Sequence, residues 1–141
     1  MPKVLLDRSR PGQNRKKLVV IGNGMVGHRL IENLVKNGGL ERYHISVIGE
    51  EPLPAYNRVQ LSSYFCGKTV EQLQLTSQAW YEQHGIELYL SEKVVQIDRP
   101  AACVRMASNH SIEYDTLVLA TGSAPFVPSI PGTDRKGVFV Y

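Results

Sequence analysis

The order of apolar and polar positions near the start of the chain predicts a strand, a helix and a second strand. Leu18–Ile21 is a short, wholly apolar run rich in β-branched residues, typical of a strand buried on both faces of a parallel sheet. His44–Gly49 predicts the second strand, and the segment between them predicts an amphipathic helix over Gly27–Lys36 that Asn37-Gly38-Gly39 ends. The apolar stripe of this helix recurs every three or four residues and consists of Val26, Leu30, Ile31, Leu34 and Val35. The polar residues expected to face away from the stripe are His28, Arg29, Glu32 and Lys36.

The remainder of the chain predicts short elements separated by turn residues. One helical turn is expected over Leu61–Phe65, and Ser77 is a candidate N-cap for a helix that Gly85 ends. Further strands are predicted over Ile86–Leu90, as antiparallel strands within Val94–Tyr114, and over Thr116–Ala120. The sequence therefore predicts an α/β, Rossmann-like fold of three layers: a parallel sheet, a helix on one side and a small antiparallel layer on the other.

The segment between the first strand and the helix, Gly22-Asn23-Gly24-Met25-Val26-Gly27, has the spacing of a dinucleotide-binding loop. The first glycine permits a tight turn, the second lets a pyrophosphate approach the backbone, and the third lets helix and strand pack closely. The helix N-terminus presents free N–H groups and roughly half a positive charge to a diphosphate. Glu50 follows the second strand, 23 residues after Gly27, and is the candidate acceptor for ribose hydroxyls, with Glu51 as the alternative.

Charge is unevenly distributed along the 141 residues, whose formal net charge is +3. Residues 1–17 contain six basic side chains and one acidic one, so the remainder carries a net charge of −2. We expect a basic, disordered tail over 1–17 and a folded part without the clustered lysines and arginines that a nucleic-acid partner needs. Apolar residues make up 43% of the chain, enough for a core, and no apolar run is long enough to cross a membrane.

Cysteine and histidine content argues against metal centres and disulfides. Cys66 and Cys103 are too few for a disulfide framework or a four-thiolate cluster, and no two histidines have the four-residue spacing that aims both at one metal ion. We therefore expect no metal site and a reducing, cytoplasmic location.

The segment Tyr114–Ser123 resembles the second flavin motif of the two-dinucleotide-domain flavoprotein superfamily. This resemblance implies that the first dinucleotide site holds FAD rather than NAD, and it adds Ala120, Thr121 and Gly122 to the candidate site. It also divides the chain into a first part of an FAD-binding domain over 18–123 and a connector over 124–141 that leads towards an NAD(P)-binding domain.

A closer resemblance rests on Ile21–Ile31 and on Pro54–Phe65, which are similar to the N-terminal segment of assimilatory NAD(P)H-nitrite reductase large subunits. The similarity runs from about Leu18 to Tyr141. It implies that Arg58 lies near the flavin diphosphate and that the backbone of Val94 faces the adenine. Relatives that reduce ferredoxins or rubredoxins carry a diproline and a lysine where this chain has Val59-Gln60 and Ser63, which disfavours those electron-carrier reductases.

The resemblance implies electron entry into nitrite reduction. NAD(P)H would pass a hydride to FAD, and electrons would continue singly through an iron–sulfur cluster to a sirohaem, where nitrite becomes ammonium. NAD(P)H, cluster and sirohaem would belong to the remainder of the large subunit, with a small subunit as a further candidate partner, and these residues alone would be inactive with an incomplete flavin site. No residue is assigned a catalytic role. The alternatives are a fragment of a ferredoxin or rubredoxin reductase and a non-catalytic nucleotide-binding module.

Overall fold

A computed structural model describes residues 15–139 of the chain. Its strands are β1 Lys16–Ile21, β2 Tyr43–Ile48, β3 Glu87–Tyr89, β4 Val94–Asp98, β5 Cys103–Met106, β6 Ser111–Glu113 and β7 Thr116–Leu119. Its helices are α1 Met25–Lys36, α2 Gly39–Arg42, α3 Val70–Leu73, α4 Gln78–Gln83 and a 3₁₀ helix over Arg58–Cys66. The basic tail predicted over 1–17 lies largely outside the described residues, and β1 begins at Lys16, two residues earlier than predicted.

The central layer is a four-stranded parallel sheet with the strand order β3-β2-β1-β7. In its register Val19 pairs with Ser46 of β2 on one side and with Leu117 of β7 on the other. Leu18–Ile21 is buried along its whole length, as predicted. All four strands are parallel, so their carboxyl ends lie at one edge of the sheet, where the loops after β1, β2 and β7 meet.

One face of the sheet packs on the helices and the other on the antiparallel layer. Leu18 and Val20 contact Ile31 of α1 and Tyr81 of α4 in the first core. The alternate residues of β1 point to the opposite face, where Val19 joins the second core with side chains of the three-stranded sheet β4-β5-β6, among them Val104 and Met106. The predicted three-layer arrangement is confirmed.

Helix α1 begins two residues earlier than predicted, and two side chains on it were placed wrongly from the periodicity. Val26 was expected on the apolar stripe but is exposed, because it lies in the first turn, beyond the edge of the sheet. His28 was expected to face solvent but is buried, because the Tyr81 hydroxyl and the Trp80 ring of α4 cover it.

The predicted C-terminal end of α1 and the predicted N-cap of α4 are confirmed. Gly38 follows α1 with a left-handed backbone, and the Ser77 hydroxyl accepts a hydrogen bond from Trp80 N at the start of α4. The strand predicted over Thr116–Ala120 ends at Leu119 as β7 and is only half-buried, because it lies at the edge of the described sheet. Residues 120–139 contain no helix or strand. No helix within residues 15–139 is long and apolar enough to cross a membrane.

Candidate dinucleotide-binding site

The loop from β1 to α1 is held tightly between the ends of the neighbouring strands. Gly22 N donates to Ile48 O of β2 at 2.8 Å, and Ala120 N donates to Ile21 O at 2.8 Å. Gly22 has φ +109°, and a Cβ on this residue would collide with the carbonyl oxygen of Ala120. Both the backbone conformation and the close approach of Ala120, the residue after β7, therefore require glycine at this position.

Gly24 and Gly27 have opposite surroundings, although both belong to the same motif. A Cβ on Gly27 would collide with the carbonyl oxygen of Gly22, so this glycine brings α1 against the loop. A Cβ on Gly24 would meet no atom within 4 Å and would point into open space. No neighbouring protein atom explains Gly24, whereas a ligand passing close to the backbone does.

The N-terminus of α1 lies at Gly24, beside the same open space. Gly24 is the N-cap residue, no side chain caps it, and the first turn contains no acidic residue. The first N–H groups of a helix have no partner within the helix, and together they carry a partial positive charge. This end of α1 is therefore suited to an anionic group such as a diphosphate.

The two acids after β2 are paired with different basic residues. The Lys93 Nζ–Glu50 Oε1 distance is 3.0 Å, whereas Glu51 forms an ion pair with Arg58, whose guanidinium lies 5.5 Å from the centre of the Tyr56 ring. Burial raises the pKa of the Tyr56 phenol, and its hydrogen bond with Glu51 raises it further. Glu50 and Glu51 are therefore both held at the site, each by a different basic residue.

These features line one cleft of ≈ 970 Å³, within the range of small-molecule and cofactor sites. The predicted residues that line it are Gly22, Asn23, Gly24, Met25, Val26, Glu50, Glu51, Arg58, Val94, Ala120, Thr121 and Gly122. Gly27 is the exception, because it lies beneath the loop and packs against Gly22. Sequence reasoning missed Leu53, Tyr56, Glu92 and Lys93, which also line the cleft. The available signal was position in the sequence: Tyr56 lies two residues before Arg58, and Lys93 lies directly before Val94.

A parallel sheet, a glycine loop at a helix N-terminus and acids after the second strand define the class of α/β dinucleotide-binding domains. Within that class, the chain belongs to the pyridine nucleotide-disulphide oxidoreductase family, which matches residues 16–141.

The chain is similar to a small part of much longer oxidoreductases. It is 50% identical over 124 residues to the NAD(P)H nitrite reductase large subunit of Klebsiella oxytoca, covering 88% of this chain and 13% of that protein. It is 42% identical over 128 residues to the NADH nitrite reductase large subunit of Escherichia coli strain K12, covering 91% of this chain and 15% of that protein. The resemblance inferred from the sequence is confirmed.

The fold is found in solved reductase structures. The chain aligns with the covalent putidaredoxin reductase–putidaredoxin complex with a TM-score of 0.76 at 27% identity, covering 88% of this chain and 29% of that one. The fold and the family together support a site for a flavin or nicotinamide dinucleotide.

Proposed function

We propose that the cleft binds FAD and that these residues are the FAD-binding part of an NAD(P)H-dependent nitrite reductase. The observation that carries FAD binding is the open space beside Gly24, which lies at the N-terminus of α1 in the same cleft as Glu50. The similarity to nitrite reductase large subunits supports the choice of enzyme.

The roles of the lining residues combine their chemistry with what the resemblance to flavoproteins implies for Arg58 and Val94. The backbone of Gly22–Gly24 and the first turn of α1 hold the diphosphate, and Arg58 adds a charge-assisted contact to it. Glu50 accepts hydrogen bonds from the ribose hydroxyls, while Lys93 orients its carboxylate. As the resemblance implies, the backbone of Val94 would face the adenine, and Ala120–Gly122 closes the side of the cleft next to β7.

When bound, FAD would supply hydride acceptance from NAD(P)H and electron release in single steps. The part of this chain is to bind and orient the cofactor, and we assign no residue a catalytic role. In the longer enzyme, which we place in the cytoplasm, an iron–sulfur cluster and a sirohaem would use these electrons to reduce nitrite. The nicotinamide site, both metal centres and the other subunit contacts would lie outside these residues.

A reductase of a small electron-carrier protein is the second candidate, favoured by the similarity to the putidaredoxin reductase complex. Two observations favour a nitrite reductase over an electron-carrier reductase. The identity to the nitrite reductase of Klebsiella oxytoca is 50%, against 27% for that complex. The exposed 3₁₀ helix carries Val59-Gln60 and Ser63 in place of the residues typical of carrier reductases.

Calorimetric titration of the chain with FAD, ADP, FMN and NADH tests the proposal. We expect FAD to bind with one site per chain, ADP to compete with it because the cleft holds the adenosine diphosphate half, and FMN not to compete. Tighter binding of NADH than of FAD would assign the cleft to the nicotinamide cofactor instead of FAD. No binding of any of the four would refute a dinucleotide site.

A further inference from the structure

Behind the glycine loop, buried polar side chains of α1 and α4 that lie outside the cleft are hydrogen-bonded in series to Asn23, which lines it. Tyr81 of α4 is 0% exposed, and its hydroxyl donates to Asn23 Oδ1 at 2.8 Å. The same hydroxyl lies 3.1 Å from Nδ1 of the buried His28 on α1. One phenol therefore connects the second residue of the loop with two helices.

The direction of the Tyr81–Asn23 bond sets the direction of the Tyr81–His28 bond. A phenol has a single O–H, and Tyr81 uses it towards Asn23. The Tyr81 oxygen must then accept from His28, which requires the proton of the imidazole at Nδ1. The Trp80 ring, with its centroid 5.5 Å from that of His28 in an edge-on arrangement, packs beside these side chains.

The Asn23 amide depends on this one contact. Its Nδ2 is buried without a hydrogen-bond partner among the described residues, so the Tyr81 hydroxyl is the partner that keeps the side chain in place. Loss of that bond would leave both polar atoms of the amide without a partner among residues 15–139, with Nδ2 in a buried position, which is costly. Asn23 also lines the cleft, so a released amide reaches water by turning into the cleft.

We propose that Tyr81 is a positioning residue of the dinucleotide site, whose hydroxyl holds the Asn23 side chain out of the space needed by the diphosphate. This inference rests on the proposed function, because it concerns the same cleft. It accounts for a tyrosine in the core between the sheet and the helices, where phenylalanine would fill the same space without a polar group.

Calorimetric titration of the full chain with FAD tests the inference through Tyr81→Phe and a matched control, Tyr89→Phe. Tyr89 also donates its hydroxyl to a side chain, Glu87 Oε2 at 3.2 Å, but lies outside the cleft. We expect Tyr81→Phe to raise the Kd for FAD roughly tenfold and Tyr89→Phe to change it by less than about twofold. In the protein without FAD, the amides of Gly22 and His28 should exchange hydrogen faster in Tyr81→Phe than in Tyr89→Phe.

A double-mutant cycle separates positioning from a general loss of stability. In an Asn23→Ala background the released amide is absent, so Tyr81→Phe should change the Kd by less than about twofold. The same tenfold loss in both backgrounds, or equal Kd values for the wild type and Tyr81→Phe, would overturn the role of Tyr81 and leave FAD binding standing. Failure of the wild type to bind FAD would instead refute the proposed function, and the inference with it.

Discussion

Replacing Gly24 by valine is predicted to separate binding from folding. Gly24 has φ −89° and ψ −168°, an extended conformation that any residue adopts, and its Cβ would meet no atom within 4 Å. Valine is a poorer N-cap residue than glycine, which destabilises the protein by about 1 kcal/mol. Valine also lowers the conformational entropy of the unfolded chain, which stabilises the protein by about 0.4–1 kcal/mol. The free energy of unfolding should therefore change by less than about 1 kcal/mol, a Tm shift of at most about 4 °C.

The effect on binding should be much larger. Two methyl groups on the valine Cβ would occupy the open space beside the N-terminus of α1, so a diphosphate could not reach the backbone N–H groups. Each charge-assisted hydrogen bond is worth about 1.5–3 kcal/mol. The loss of two such bonds would raise the Kd for FAD at least about a hundredfold.

Calorimetry with FAD and thermal unfolding followed by circular dichroism measure the two effects. Gly27→Ala is the comparison variant, since its Cβ would collide with the Gly22 carbonyl and should lower the Tm as well as the affinity. Wild-type affinity in a folded Gly24→Val protein would refute the assignment of the loop to the diphosphate. A loss of the fold in Gly24→Val would refute our description of open space beside this glycine.

Three further predictions concern the ribose contact, the buried imidazole and the activity of the chain. Glu50→Ala should weaken FAD binding roughly tenfold because a ribose acceptor is lost, and Glu51→Ala should weaken it less; the reverse order in calorimetry would move the role to Glu51. Burial holds the pKa of His28 below its ordinary value of 6.5, so the unfolded chain binds the proton more readily and stability should fall as the pH drops below about 6.5. In His28→Gln, the free energy of unfolding, measured with urea at several pH values, should fall less steeply with decreasing pH. An equal pH dependence in both proteins would contradict this prediction. The chain supplied with FAD, NADH and nitrite should yield no ammonium, and its production in a colorimetric assay would overturn the view that these residues are part of a longer enzyme.

The local pattern of the sequence was sufficient to predict the central βαβ unit and the position of its glycine loop between the first strand and the helix. The steric reason for Gly22 was not available from the sequence, because the colliding carbonyl belongs to Ala120, almost a hundred residues later. Periodicity also predicted the wrong surroundings for Val26 and His28. It describes the faces of a helix but not where the sheet ends or which partner from α4 covers a polar residue.

For the two acids after β2, the sequence predicted their place at the site but not their partners. An acid after the second strand was predicted from its distance to the glycines, and both Glu50 and Glu51 line the cleft. Their separate pairing with Lys93 and Arg58 depends on two loops that meet only in the folded chain. The sequence therefore left open which of the two acids binds the ribose. The structure adds that the two acids have different basic partners.

The central claim, that FAD binds in the cleft at the carboxyl ends of the strands, is tested most directly by an NMR titration of the ¹⁵N-labelled chain with FAD. Our account predicts amide shift changes concentrated at Gly22–Val26, Glu50–Glu51, Lys93–Val94 and Thr121–Gly122. A second cavity of ≈ 340 Å³, lined by Lys17, His44, Glu87 and His110, lies between the two sheets and outside that cleft. Shift changes centred on this second cavity, with none in the glycine loop, would contradict the account.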